Sequence, residues 1–338
     1  MGDVAMSIPV LKQLLSQYLD IHITFLSQQK FKPLFDNIER LQFYSADVHG
    51  KHKGFLGLYR LYKTLKRLHT FNYIADLHNV LRSKIIRNFF KLSGCTVRYI
   101  DKGRAAKKAL TQKENKQLIQ LQNTFERYTD VFRLLGFSLQ LTKRIQRIKL
   151  PLQNIAQHCK LPFNIAEEHK QTPVIGVAPF AQYKEKTYPI KSMQEVLKML
   201  TIKGYYVLLF GGGEKETRIL QVWEKEYNHT TCIAGKISLE DELILMSNVD
   251  VMLSMDSANM HLASLYGVPV ISIWGATHPY AGFYGYGQSI HNAVQVNLSC
   301  RPCSVFGNKP CYKNDWACMQ AIKPLMVVEK IMNAMTIR

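Results

Sequence analysis

From Ile21 onward, short apolar runs alternate with stretches in which apolar residues recur every three or four positions. That is the pattern of parallel strands covered by helices on both faces. In the first half the strand-like runs are Ile21–Leu26, Phe71–Ala75 and Cys95–Ile100. Between them the spacing predicts a basic amphipathic helix over Leu58–Leu68, another over Leu81–Leu92, and a long polar one over Asn115–Leu135. Residues 136–172 carry Gly136, Pro151 and Pro162 and lose periodicity, which puts a junction there. The second half restarts with strands Val174–Val177, Tyr205–Phe210, Val249–Ser254 and Val268–Ile273. Helices near Ile190–Leu200, Glu214–Tyr227, Leu239–Met246 and Ser257–Tyr266 separate them. The expectation is an α/β protein of two Rossmann-like, doubly wound domains, 1–165 and 166–338, with ligands at the carboxyl ends of the strands. The last helix, about 322–338, is expected to pack back on the first domain.

The chain opens almost directly into a helix, Met6–Tyr18, with Pro9 in its expected first turn. An α/β lobe ordinarily places a strand before that helix. This reading therefore expects about ten further residues, forming a central strand, ahead of Met1 in the natural protein or its ancestor.

Composition narrows the class. With 338 residues, 47% hydrophobic and 20% charged, the chain has the make-up of a packed globular protein and is long enough for two cores. No apolar run approaches the roughly 20 residues of a membrane helix, and no apolar signal segment opens the chain. The expected location is the cytoplasm. Seven cysteines then read as reduced thiols. The net charge of +19 is uneven: residues 1–170 hold 29 Lys and Arg against 12 Asp and Glu, the remainder 15 against 13. Such a field attracts nucleic acid, an anionic lipid surface or a phosphorylated substrate.

The candidate chemistry concentrates where the strand Val249–Ser254 turns into its helix. Asp256 and Ser257 are good caps, and the free N–H groups and positive dipole end of that helix suit a phosphate or diphosphate. Ser257 and His261, four apart, share a face. Alone, the first reads as a cap and the second as a satisfied histidine; together at one turn they point to an anion. Phe210-Gly211-Gly212-Gly213-Glu214-Lys215-Glu216 ends another strand, and its glycines let a nucleotide approach the backbone. It is neither a dinucleotide fingerprint nor a P-loop.

The segments Ala234-Gly235-Lys236, Asp256-Ser-Ala-Asn-Met-His261, Gly267-Val-Pro-Val and Trp274-Gly-Ala-Thr-His-Pro279 resemble the lipopolysaccharide heptosyltransferase family. Met1-Gly-Asp-Val-Ala-Met-Ser-Ile-Pro-Val10, Ala75-Asp76-Leu-His-Asn-Val-Leu-Arg82-Ser83 and Cys300-Arg-Pro-Cys303 with Cys311 and Cys318 extend the likeness over most of the chain. The resemblance implies a two-lobed, inverting glycosyltransferase of the GT-B type with an interdomain cleft, moving a heptose from ADP-heptose to the inner core of lipopolysaccharide. It implies Asp3, in the loop before the first helix, as the base. Lys186 would contact the diphosphate, beside a loop holding Phe180 and Ala181. Glu214 or Glu216 would hold the ribose, and backbone at Gly235 and Lys236 the adenine. The family motif reads Asp-Ser/Thr-Gly-x-x-His; here Ala258 stands for the glycine, putting a methyl group where backbone normally approaches closely.

The resemblance further implies no required metal, although Mg²⁺ can accompany a diphosphate. Cys300, Cys303, Cys311 and Cys318 have a spacing that could offer four thiolates to zinc, but reduced packing thiols or a redox-sensitive pair is the preferred reading. Cys95, Cys159 and Cys232 read as small core residues. An acidic glycolipid acceptor at the inner face of the inner membrane gives the basic first half a purpose. Lys51, Lys53, Arg60 and Arg82 are its candidate contacts, with Lys63, Lys66, Arg67 and Arg87 on the same docking face, and helix Leu58–Leu68 suits peripheral contact with anionic headgroups. A monomer is expected. Another nucleotide-sugar donor or an inactive homologue are alternatives. A basic nucleic-acid binder ranks below them, because no recognised module is present.

Overall fold

The computed structural model describes residues 1–142, 145–155 and 172–336. Cys159, Pro162 and the expected boundary at 165/166 lie outside the described residues. The chain divides into two compact units, one of residues 3–104 and 122–142, the other of residues 105–121 and those after 142. One boundary therefore does not describe it, because residues 105–121 group with the second unit rather than the first.

In the first unit, α1 (Gly2–Gln17) leads to β1 (Ile23–Ser27), β2 (Leu41–Ser45), α2 (Gly54–Leu68), β3 (Tyr73–Asp76), α3 (Leu81–Leu92) and β4 (Thr96–Tyr99). The helix α4 (Arg104–Leu110) that follows groups, after its first residue, with the second unit, and α5 (Thr124–Leu134) completes the first. The strands form two parallel pairs, β1 with β2 and β3 with β4. Leu61, Tyr62 and Leu65 of α2 and Phe90 of α3 form one apolar cluster, against which Leu26, Tyr44 and Ile74 of both strand pairs pack. The helix α1 buries Ala5, Met6, Ile8, Val10, Leu11, Leu14 and Leu15.

Three expectations need correction here. The first helix begins at Gly2, so Asp3 sits in its first turn rather than in a preceding loop, and Pro9 falls inside the helix. An acid in the first turn is where the helix dipole favours it. The long polar helix over 115–135 shrinks to α5: Asn115 takes a positive φ of 50°, and Asn123 adopts extended backbone as the cap. Leu121 instead donates its N–H to the Tyr280 carbonyl at 2.9 Å. Arg87, expected on an outward basic face, is drawn inward: it pairs with buried Asp76 at 2.8 Å and lies 3.9 Å from the Tyr99 ring centroid.

The second unit contains β5 (Val174–Ala178), α6 (Ile190–Ile202), β6 (Tyr206–Leu209), α7 (Glu214–Glu226), β7 (Thr230–Cys232) and α8 (Leu239–Asn248). It continues with β8 (Val251–Met255), α9 (Ala258–Leu265), β9 (Val270–Ile273), β10 (Ala293–Val294), α10 (Ala317–Gln320) and α11 (Pro324–Thr336). Its sheet is parallel with strand order β10-β9-β8-β5-β6-β7. The β5, β6, β8 and β9 strands are buried throughout, which is why they read as unbroken apolar runs rather than alternating ones. The last helix lays Val327, Val328 and Ile331 into this same core, against the expectation that it returns to the first domain. Its apolar stripe finds an unfilled face beside α6 and β8.

The order of strands has one consequence for function. The chain winds outward from β5 through β6 and β7, then returns to β8 on the other side and winds through β9 and β10. The carboxyl ends of β5 and β8 thus flank a topological switch point, where connecting loops diverge and leave room for a ligand.

Truncating a fully buried side chain at the centre of this sheet should cost stability through lost burial and a residual cavity. Leu253→Ala is expected to destabilise by about 2–5 kcal/mol in denaturant unfolding, and a loss under about 1 kcal/mol would place β8 outside the core.

Candidate functional site

At the end of β8, Asp256 is buried. A buried carboxylate requires partners, and it has two on one oxygen. The Lys186 ammonium lies 3.2 Å from Oδ2, and the Thr277 hydroxyl donates to the same atom at 2.8 Å. Lys186 comes from the loop after β5 and Asp256 from the turn after β8, so the pair is assembled across the switch point. The stem of Lys186 runs over Gly307, whose φ of +72° and missing side chain leave the space; a Cβ there would collide with it.

Thr277 is held in turn. Arg301, 4% exposed, donates to the carbonyls of Trp274, Gly275, Thr277 and Val296 and to Gln295 Oε1. Its guanidinium replaces absent secondary structure in the 274–277 loop by satisfying carbonyls that burial would otherwise leave unpaired. Cys303 and Ser304 close the same loop by donating their N–H groups to the Ala276 carbonyl. Neither Thr277 nor Arg301 was singled out from sequence, although each lies in a segment that carried the resemblance.

Ser257 occupies the cap position of α9 but makes no side-chain cap bond; its hydroxyl lies 3.1 Å from that of Ser254. The capping role expected for Asp256 and Ser257 is therefore not what their side chains perform. The first-turn N–H groups of α9 lie beside Asp256 at the switch point, an arrangement suited to an anion. Ala258 starts that helix without a positive φ, so the local backbone makes no demand for glycine there. His261 is buried on the next turn of α9.

The other expected donor residues follow the neighbouring strands. Phe180 stacks on Trp223 at 6.1 Å and, with Ala181, packs against the core, so their side chains serve packing while their backbone follows β5. In the glycine turn after β6, Gly213 has a φ of 79°, and Glu216 accepts the Gly212 N–H at 2.9 Å. Glu214 is exposed and pairs with Arg218. Lys236 reaches Glu224 with both carboxylate oxygens at 2.9 Å, while Gly235 is exposed with a φ of 71°. Among the described residues no three His, Cys, Asp or Glu side chains are grouped so as to hold a metal ion. Cys318 and Cys232 are buried; Cys95, Cys300, Cys303 and Cys311 are half-buried.

In the first unit Asp3 is exposed, and its carbonyl accepts the hydroxyl of buried Tyr128 at 3.3 Å. His78, after β3, and Lys102, after β4, both lie within its electrostatic reach. Loss of solvation lowers the pKa of each, and the Asp3 charge opposes that shift. These two residues were not read from sequence, since nothing in their spacing links them to residue 3. Lys51, Lys53, Arg60 and Arg82 are exposed: the first two beside the start of α2, Arg60 on it, and Arg82 in the first turn of α3.

The pairing at Asp256 has a measurable energy. Lys186→Met should cost about 2–3 kcal/mol by leaving the carboxylate with Thr277 alone, and adding Asp256→Asn should restore part of it; strictly additive losses in denaturant unfolding would contradict the pairing. Acid should act through His278. Burial, then the charges of Arg301 and Lys116, push its pKa down to about 4. The unfolded chain therefore binds a proton near pH 6.5 that the folded one refuses, and stability drops as pH falls from 6.5 towards 4 by up to about 3 kcal/mol. The variant His278→Asn should flatten that dependence in thermal unfolding; an unchanged slope would assign the acid sensitivity elsewhere.

Residues 58–312 match glycosyltransferase family 9 (heptosyltransferase). Over 114 residues the chain is 31% identical to lipooligosaccharide heptosyltransferase 2 of Haemophilus influenzae, a stretch covering 32% of this chain and 33% of that protein. In sequence it thus spans about a third of the length of that curated relative. The crystal structure of a family 9 glycosyl transferase from Veillonella parvula has a TM-score of 0.73 at 16% identity, covering 100% of this chain and 95% of that one. For E. coli heptosyltransferase WaaC with ADP-2-deoxy-2-fluoro heptose the TM-score is 0.65 at 15% identity, covering 98% and 96%. These likenesses establish the fold, which is the expected GT-B type. With the family match running over most of its length, the chain belongs to glycosyltransferase family 9, the heptosyltransferases.

Proposed function

We propose that the protein is an inverting transferase that moves a heptose from ADP-heptose to the inner-core sugars of lipopolysaccharide. The observation that carries this reading is the Lys186–Asp256–Thr277 constellation at the switch point of the second unit, beside the start of α9. A diphosphate there would be held by first-turn N–H groups of α9 and by Lys186, with Ser257 and His261 on the adjoining face. As the bond from the anomeric carbon to phosphate breaks, the departing ADP gains charge, and fixed donors aimed at that charge lower the barrier. Backbone at Phe180 and Ala181 continues the phosphate contact. Gly235, Lys236 and the acidic pair Glu214 and Glu216 receive the adenosine end. WaaC, with its ADP-heptose analogue, supports the donor.

The first unit supplies the other half of the reaction. Asp3 takes the proton of the acceptor hydroxyl as that oxygen bonds to the anomeric carbon, on the face opposite the leaving diphosphate. Lys51, Lys53, Arg60 and Arg82 bind the acidic acceptor. No metal ligand takes part in this scheme, Mg²⁺ being at most a companion of the diphosphate, and the four C-terminal cysteines act as reduced thiols. No described helix is long and apolar enough to cross a membrane. Working as a monomer at the cytoplasmic face of the inner membrane, by peripheral contact, fits a lipid-anchored acceptor.

Two variants separate the roles. Asp3→Asn should lower turnover about 10²–10³-fold while leaving ADP affinity within about twofold, whereas Lys186→Ala should weaken ADP binding as well as turnover. Calorimetry should give tighter binding for ADP than for UDP or GDP. Wild-type turnover in Asp3→Asn would remove the base assignment, and preference for UDP would change the donor.

A further inference from the structure

On α2 one face is buried through Gly57, Leu58, Leu61, Tyr62 and Leu65. The opposite face departs from an ordinary solvated surface. Phe55, Leu56 and Tyr59 lie on it at 61%, 70% and 42% exposure, all in the first half of the helix. Along the same outward side, in the second half, follow Lys63, Lys66 and Arg67, with Arg60 between. A monomer's exposed apolar side chains are usually scattered; three within five residues form a small contiguous patch.

The charge around this patch is one-sided. Between Asp47 and Asp76 there is no acidic residue, while six Lys and Arg fall in that interval. The first turn of α2 has no acid to meet its positive dipole end, and Lys51 and Lys53 stand immediately before it. In water that arrangement is unfavourable, and an anionic surface converts it into an attraction. The loop that presents the two lysines is braced. Asp47 accepts the N–H groups of Gly50 and Lys51 at 2.8 and 3.0 Å, and buried His52 accepts the Asp47 N–H at 3.1 Å. The exposed rings are braced as well: Phe55 and Tyr59 each meet Phe89 of α3 edge-on at 5.4 Å. Both the loop backbone that carries the lysines and the two rings of the apolar wedge are therefore held in place before any partner arrives.

We propose that the outward face of α2, with the 47–53 loop, is the surface on which the protein rests on an anionic phospholipid bilayer. Phe55, Leu56 and Tyr59 enter the boundary between headgroups and acyl chains, and Lys51, Lys53, Lys63 and Arg67 contact the lipid phosphates with their stems along the apolar edge. A nucleic acid would use the charges but leave Phe55 and Leu56, an aromatic and an aliphatic side chain in the first turn, without a role. The assignment deepens the peripheral membrane contact of the reading above, yet it needs neither donor nor acceptor to be tested.

The experiment is co-sedimentation of the full chain with vesicles of phosphatidylcholine alone or with about 30% phosphatidylglycerol, which gives the surface a negative potential. Binding to the mixed vesicles and little to the neutral ones is expected. The double variant Phe55→Ser with Leu56→Ser should lower the partition at least about tenfold at fixed salt, since only buried apolar surface is removed. Lys63→Glu with Arg67→Glu should lower it and also reduce its salt dependence. Calorimetric ADP affinity and thermal unfolding of each variant separate this surface from the donor site: loss of vesicle binding with ADP binding intact supports the proposal, and ADP binding absent from every preparation sinks the transferase reading but not the surface. Equal binding to neutral and anionic vesicles, or a Phe55/Leu56 variant that partitions like the parent chain, overturns it. So does binding to a single-stranded oligonucleotide that is tighter than to vesicles and indifferent to the serine variant.

Discussion

Asp256 is a carboxylate that the sheet forces out of water, and much of the second unit is arranged to make that tolerable. It ends a fully buried strand, so its charge needs a cation and a hydrogen-bond donor within reach or it must be neutralised. Lys186 and Thr277 answer that need from two different loops. Each loop then depends on a further device: the space over Gly307 for the lysine stem, and the Arg301 guanidinium for the carbonyls around Thr277. The result is a lysine held in a set position by its carboxylate partner, in the loop that faces the start of a helix across the switch point. On the proposed reading an incoming diphosphate would meet a site whose orientation is already established, which is the condition under which electrostatic stabilisation of a leaving group is effective.

The distribution of charge along the chain matches a division of tasks. Residues from 171 onward hold nearly equal numbers of acids and bases, so the proposed anion site relies on one lysine and backbone dipoles rather than on a strong field. That favours a ligand recognised by shape and orientation. Residues 1–170 carry the surplus of positive charge, and α2 displays Arg60, Lys63, Lys66 and Arg67 beside exposed aromatic and aliphatic side chains. Such a surface suits a large, diffuse anion met from outside. Not every basic residue belongs to it, since Arg87 is withdrawn to satisfy buried Asp76 beneath the Tyr99 ring.

The cysteine-rich segment has a structural role independent of any metal. Arg301 sits between Cys300 and Pro302 and draws the 295–304 chain against the loop after β9 through a set of carbonyl contacts. Nearby Cys318 is buried, and burial pushes its thiol up to about 11, so it is a neutral packing group at ordinary pH. What the segment contributes to the proposed donor site passes through Thr277 and Gly307.

Elements whose burial is uniform or whose period is regular were legible from residue order alone: the four central strands of the second unit, the helices between them, and amphipathic α2 and α3. So was the turn at 256–261, because a strand end, polar residues and a helix start are consecutive in the chain. Short edge strands such as β7 and β10 were not, since two or three residues carry no period. The helix expected over 115–135 failed because a long-range bond at Leu121 and a left-handed Asn115 outweighed local propensity. The partners of Asp256, the inward turn of Arg87 and the neighbours of Asp3 come from residues 11 to 125 positions away. Periodicity is a property of adjacent residues and survives in the sequence; which distant loop supplies the counter-charge to a buried carboxylate depends on strand order, and only the folded sheet sets that.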